Sequence, residues 1–95
     1  MINRLSSIER QTLGDRLRLH REWMGLYERQ VAEKVGYSRF SVIDWEQGRA
    51  MPKPETRVAL AELFGVPIEE LFAELYTALA RGPRRRPRRR ARKAA

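Results

Sequence analysis

An all-α fold is what this chain predicts, and three observations predict it. Apolar residues recur at three- and four-residue spacing through most of the first 80 positions. Glycines at positions 25, 36, 48 and 65 cut that pattern into helical lengths, each followed by a fresh start. With 95 residues, 11.2 kDa and no cysteine, the chain has room for one small domain and no disulfide frame. A core of that size is modest, so stability is expected to be marginal or helped by a partner subunit.

The elements follow in order. Residues 1–12 read as an N-terminal arm or as an extension of the first helix. Met1 to Ser7 has the look of a loose arm, and Ser7 is placed to cap a helix beginning at Ile8. Glu9 then lies near the positive end of that helix. Leu13 and Leu17 are four apart and face the core. Gly25-Leu26 ends the first helix, and the second runs from about Tyr27 to Val35. Val31 and Val35 are core on spacing, and Ala32 is small where two helices must approach.

Gly36 breaks that helix. Ser38 is a good N-cap for the third, because its hydroxyl can accept from a free amide one turn on. Val42 and Trp45 share one face. Arg39, Phe40, Ile43, Asp44 and Gln47 fall on the flanks and the far side. Gly48 supplies the stop. Two short helices joined by a tight turn, here Gly36-Tyr37, are the physical content of a helix-turn-helix.

The loop RAMPKP is stiffened by Pro52 and Pro54. Arg49 and Lys53 flank the end of the third helix, where they are natural phosphate clamps. The fourth helix spans about Glu55 to Phe64, with Val58, Ala61 and Leu63 or Phe64 inward, and Gly65 stops it. Pro67 sits at a tolerated first-turn position of a fifth helix, Ile68 to about Ala80. There Ile68, Leu71, Phe72, Leu75, Tyr76 and Leu79 recur at i, i+3, i+4, i+7, i+8 and i+11. The first three complete the core. Leu75, Tyr76 and Leu79 either pack back on the domain or form an uncovered apolar stripe for a partner. A two-fold homodimer is the favoured partner.

The net charge of +8 is not spread evenly. Residues 1–80 sum to −1, and residues 81–95, RGPRRRPRRRARKAA, carry +9. The tail reads as an arginine-rich segment that is disordered when unbound. Its Arg84, Arg85, Arg86, Arg88, Arg89 and Arg90 are suited to phosphates, because clustered arginines release counterions from a polyanion.

Several classes are excluded. There is one histidine and no cysteine, so no His/Cys metal cluster is expected. No glycine-rich phosphate loop, metal-ligand spacing or nucleophile beside a histidine points to an enzyme or a cofactor. No apolar run approaches the roughly 20 residues of a membrane helix. MINRLSSIERQ has no secretory pattern, so a cytoplasmic protein is the default.

The segment QVAEKVGYSRFSVIDWEQG resembles the helix-turn-helix of the phage repressor and Cro family. The resemblance covers Leu13 to about Phe72, carried by LGDRLRLHR, GL, VAEKVGYS, VIDWEQG, Pro52 and LAELFGVPIEELF. It implies a five-helix repressor-like bundle over residues 13–80 that binds double-stranded DNA, usually as a dimer. It also implies that Ser38, Arg39, Phe40 and Asp44 face bases in the major groove, with Ile43 at the edge. Arg21 and Glu46 match a buried ion pair of the family. Two positions depart from its pattern. His20 stands where the family has an apolar residue, with Leu19 one earlier, so His20 is a core histidine with a partner or the helix is rotated. Glu28 stands where the family has a glutamine that touches a phosphate and braces the recognition helix, and its charge is wrong for the phosphate contact.

The reading is a sequence-specific DNA-binding transcriptional regulator, a repressor before an activator, with no small-molecule effector indicated. Its rivals are a protein-interaction or coactivator module of the same fold, favoured by the near-neutral domain and apolar Phe40 and Ile43, and nucleic-acid binding carried by the tail.

Overall fold

The first helix of the computed structural model, which describes residues 5–81, opens at a capping box. Ser6 Oγ accepts from the Glu9 amide at 3.0 Å, and Glu9 Oε1 accepts from the Ser6 amide at 2.9 Å. The cap is therefore Ser6, not Ser7 as the sequence suggested, and the reason is the partner. Glutamate lies three residues after Ser6, whereas arginine lies three after Ser7. Helix α1 (Ser7–Trp23) runs unbroken past Leu13, and Leu5 just before it is buried in the core. Its end is a Schellman motif. The Leu26 amide donates to the Arg21 carbonyl and the Gly25 amide to that of Glu22, with Gly25 at φ +69°.

Helix α2 (Glu28–Val35) ends at Gly36, and α3 (Arg39–Glu46) opens at Ser38. Ser38 Oγ accepts from the Ser41 amide at 3.2 Å, which is the cap the sequence predicts. Tyr37, in the turn, sets its ring edge-on to Trp45 at 5.2 Å and meets the Thr56 hydroxyl through its own. The turn is thus tied both to α3 and to α4 (Pro54–Phe64). Val42 and Trp45 are buried, as their spacing predicts.

Two expectations for the C-terminal half need correction. Val58 does not point inward: it is 46% exposed, because the face α4 buries is Thr56, Arg57, Leu60 and Ala61. Arg57 belongs to that face by what it holds. It donates to the Pro52 carbonyl at 2.9 Å and to the Tyr76 hydroxyl at 3.3 Å, tying the 49–53 loop to the last helix. The long fifth helix is in fact two, α5 (Ile68–Leu71) and α6 (Ala73–Arg81), so six helices occur among the described residues. Phe72 leaves helical geometry at φ −117°, ψ 42°. Arg16 explains how the break is tolerated, since its Nη1 donates to the Leu71 carbonyl at 3.1 Å. In an unbroken helix that carbonyl would accept from Leu75.

The break turns α6 back onto α1. Leu71, Phe72 and Leu75 become completely buried, joining Leu13, Leu17, Val31, Val42 and Leu60 in one core. Each such large side chain contributes about 1.5–3 kcal/mol by leaving water. Leu75 is therefore part of the chain's own core and not of a dimer surface. Tyr76 and Leu79 are half-buried against the same core. Of the stripe expected to pack back or to pair, Leu75 is thus covered within one chain, while Tyr76 and Leu79 keep part of their surface open.

Candidate nucleic-acid interface

The geometry that matters is how α3 is held and what it leaves exposed. Gly14 sets the approach of α1 to α3. A Cβ at position 14 would collide with the carbonyl oxygen of Glu46 and lie 2.9 Å from that of Trp45. Nothing but glycine lets the two backbones come this close. The sequence reading passed over it, although an isolated glycine within a helical pattern is itself a signal of close approach.

Beside Gly14 lies the ion pair that the family resemblance implied. Arg21 Nε donates to Glu46 Oε2 at 2.7 Å, and Nη2 to Oε1 at 3.1 Å. The third guanidinium nitrogen, Nη1, donates to the Leu26 carbonyl at 3.0 Å. The two side chains are only 11% and 7% exposed. The Glu46 carboxylate raises the Arg21 pKa above its ordinary value, against the opposing effect of burial. Arg21 thereby joins three elements: α1, the loop before α2, and the end of α3.

Held in this way, α3 turns its N-terminus and one flank to solvent. Ser38 and Arg39 are exposed, and Phe40 is 70% exposed. Ile43 and Asp44 are half-buried on the same flank. The Arg39 guanidinium carbon lies 5.8 Å from the centre of the Phe40 ring. Asp44 and Arg49, one expected at a base and the other at a phosphate, meet each other. Arg49 Nε donates to Asp44 Oδ1 at 3.1 Å, and the Arg49 amide donates to the Asp44 carbonyl at 2.9 Å. Lys53 is exposed and precedes α4 as its N-cap residue. The tail arginines Arg84, Arg85, Arg86, Arg88, Arg89 and Arg90 lie outside the described residues.

The two departures from the family pattern have structural answers. His20 is half-buried and stacks on Phe64, ring centres 5.6 Å apart, with Trp23 edge-on at 6.1 Å, while Leu19 is exposed. It lies at the edge of the core and not within it, and its ring neighbours are aromatic. Glu28, at the start of α2, lies 3.6 Å from Arg39 Nε and 3.9 Å from Arg21 Nη2. That pairing was not visible in the sequence, since positions 28 and 39 are brought together only by the turn between α2 and α3.

A groove lined by Arg21, Tyr27, Glu28, Arg29 and Arg39 opens on this face, with about 520 Å³ of space. The described residues hold no cluster of three or more carboxylate, histidine or cysteine side chains fit for a metal. Among them no helix is long and apolar enough to cross a membrane.

Comparisons with known proteins agree with this architecture. A family model described as a helix-turn-helix domain matches residues 12–75. An uncharacterized transcriptional regulator of the helix-turn-helix type from Methanocaldococcus jannaschii is 33% identical over 58 residues, 61% of this chain and 88% of the relative. The cryptic phage CTXphi transcriptional repressor RstR of Vibrio cholerae is 36% identical over 61 residues. That match takes in 64% of this chain and 52% of the repressor, so the chain spans about half of that relative. The crystal structure of the clp gene regulator ClgR from Corynebacterium glutamicum superposes with a TM-score of 0.62 at 25% identity, covering 76% of this chain and 77% of that one. A second crystal structure of ClgR gives 0.59 at 23% identity, over 81% and 96%.

Proposed function

Because the chain belongs to the helix-turn-helix domain family, we propose that it regulates transcription by binding double-stranded DNA in a sequence-specific way, as a repressor. The observation that carries this is the outward flank of α3. A buried ion pair and a glycine contact fix the helix to α1, yet Arg39 and Phe40 project into solvent at its N-terminal end. Such a helix fits the major groove, which is wide enough to admit it.

The roles divide by chemistry. Arg39 grips guanine at O6 and N7, Phe40 meets a thymine methyl, and Asp44 accepts from cytosine N4. Ser38 and Ile43 complete the base-facing set. Arg49 and Lys53 hold phosphates on either side of the loop that leaves α3. The arginines from Arg84 to Arg90 add affinity without sequence information, on the phosphate backbone or in a narrow minor groove. A second copy of the chain is the partner this reading calls for, because closed two-fold pairs match palindromic sites. Leu75 is not part of its contact surface, because that side chain is buried within one chain.

Selection from random duplexes at physiological salt tests the proposal, run with the intact chain and with one lacking residues 83–95. The expected result is one motif shared by both proteins, with weaker binding and a shallower salt slope in the shortened chain. The slope falls by up to about 0.9 log unit for each phosphate that the shortened chain no longer neutralises. Retention without any motif would assign binding to the tail. No retention at all would favour the protein-interaction module, for which the exposed Phe40 is the specific observation.

A further inference from the structure

Three arginines of α1 are half-buried, Arg10, Arg16 and Arg21. Each donates to a backbone carbonyl where a helix starts, breaks or has ended. Arg10 Nη1 reaches the Leu5 carbonyl at 2.9 Å, as Arg16 reaches that of Leu71 and Arg21 that of Leu26. Arg16 and Arg21 are also met by a carboxylate, Glu74 and Glu46. Arg10 has no carboxylate in ion-pair contact among the described residues. The adjacent Glu9 is turned to the Ser6 amide. Residues 1–4 and 82–95 contain no aspartate or glutamate. Taking a charge partly out of water without an opposite charge costs free energy, so Arg10 is suited to an anion from outside the chain.

The surroundings of Arg10 decide which anion. A Cβ at Gly48 would lie 3.0 Å from the Arg10 carbonyl oxygen and 3.3 Å from the Arg10 Cβ, so that side chain leaves α1 beside the end of α3. Ala50, Met51 and Pro52 line the same cleft. Gly48 and Pro52 immediately precede Arg49 and Lys53, the two cations assigned above to phosphates. Arg10 therefore adds a third cation, from a different helix, to the loop that leaves α3. Of the three, only Arg49 has a carboxylate partner among the described residues, Asp44. Like charges gathered in this way repel one another and favour a polyanion. Leu5 is itself buried in the core, so its carbonyl places the guanidinium before any ligand arrives.

We propose that Arg10 is a phosphate-binding residue: held by the Leu5 carbonyl, it takes a phosphate of the DNA backbone where Arg16 and Arg21 take a glutamate. The proposal rests on the DNA-binding function put forward above. It extends the contact surface to the start of α1, ahead of residues 12–75 that the helix-turn-helix model matches. A phosphate contact fixes the register of the protein on the duplex and carries no base information.

Arg10→Gln tests it, since the amide keeps a donor for the Leu5 carbonyl and removes the charge. Arg18→Gln is the control. It removes the same charge from the same helix, but from an exposed arginine paired with Asp15. The full-length parent and both variants are melted, then titrated across a range of salt with the selected duplex and with a scrambled one. Arg10→Gln is expected to weaken binding to both duplexes and to reduce the log–log salt slope by about 0.9, the share of one phosphate. The affinity ratio between the duplexes should stay within about twofold of the parent's. Arg18→Gln should leave the slope unchanged. Equal slope losses in the two variants would mark an effect of net charge, and an unchanged slope in Arg10→Gln would mark no contact. Either result overturns the phosphate site and leaves base reading by α3 standing. A loss confined to the selected duplex overturns the backbone assignment, because Arg10 would then read sequence. A parent protein with no preference between the duplexes overturns the underlying DNA-reading function itself. Should Arg10→Gln melt abnormally, Arg10→Met takes its place. It keeps an unbranched apolar stem without the charge, and an unchanged slope there overturns the proposal equally.

Discussion

Two arginines of α1, Arg16 and Arg21, do parallel work on two different regions. Each makes a two-pronged pair with a glutamate on another helix, Glu74 on α6 and Glu46 on α3. Each also gives a hydrogen bond to a backbone carbonyl where a helix is broken or has ended, Leu71 and Leu26. They differ in burial. The Arg21–Glu46 side chains are 11% and 7% exposed, against 25% and 21% for Arg16–Glu74. An ion pair adds little to stability when water can replace either partner, but losing one partner of a buried pair strands a charge. The clamp on α3 should therefore be the fragile one, and the clamp on the C-terminal bend the forgiving one.

The largest expected effect comes from stranding the buried charge. Glu46→Ala should cost up to about 3–5 kcal/mol, because Arg21 is left with only the distant carboxylate of Glu28, 3.9 Å away. Denaturant unfolding measures it, with exposed Glu62→Ala as the reference, expected within about 0.5 kcal/mol of the parent protein. Equal losses in the two variants would mean that the Arg21–Glu46 pair is open to water as Glu62 is.

Gly14→Ala should come next, at about 1–3 kcal/mol, through overpacking against the α3 backbone. It leaves Arg21 and Glu46 chemically intact, so it separates the geometry of the α1–α3 approach from its charge. A neutral result would show that α3 can shift without loss, and the fixed reading helix would no longer be a sound premise.

How much of this was legible differs between the regions. Around α3 the sequence carried its own signals: a capping serine at 38, stops at Gly36 and Gly48, and Val42 and Trp45 on one face. The Arg21–Glu46 match came from resemblance, because nothing local links residues 25 apart. At α6 the signals misled. The apolar period runs evenly from Ile68 to Leu79 and gives no hint of a break at Phe72. That break is stabilised by Arg16, 55 residues earlier in the chain. Periodicity reports which residues are apolar along a helix, not whether a distant donor will satisfy a freed carbonyl. The same limit hid the pairing of Glu28 with Arg39.

A smaller effect, with a definite pH signature, belongs to the second clamp. Glu74→Gln should cost about 1 kcal/mol at neutral pH. The Arg16 guanidinium holds the Glu74 carboxyl below its ordinary value of 4.5, although burial opposes this. A carboxyl depressed in the folded state binds protons more readily once unfolded. The clamp therefore contributes fully above about pH 4.5 and is lost as pH falls through the lower, folded value. The gap in melting temperature between parent and variant should hold near neutrality and close in acid. A gap unchanged by acid would show that the clamp works by shape and not by charge.

The smallest stability effect is expected at the third arginine–carboxylate pair, Asp44 with Arg49, whose side chains are 46% and 61% exposed. Water screens this pair, so Asp44→Asn should change folding stability by about 0.5 kcal/mol or less. On the proposed reading, that low value would let both partners exchange each other for a base and a phosphate at little cost. In the proposed complex of the parent protein, Arg49 must leave Asp44 to reach a phosphate. In Asp44→Asn it has no carboxylate to leave. The variant should therefore bind all duplexes somewhat more tightly, with the melting temperature essentially unmoved. It should also lose preference at the one base pair where Asp44 accepts from cytosine. Affinity measured on the selected duplex, on that duplex altered at this pair, and on a scrambled sequence separates the effects. Tighter binding with preference intact would leave Arg49 as a phosphate contact and remove Asp44 from the base-facing set. A large drop in melting temperature would place this pair with the buried clamp, and exposure would no longer rank the three.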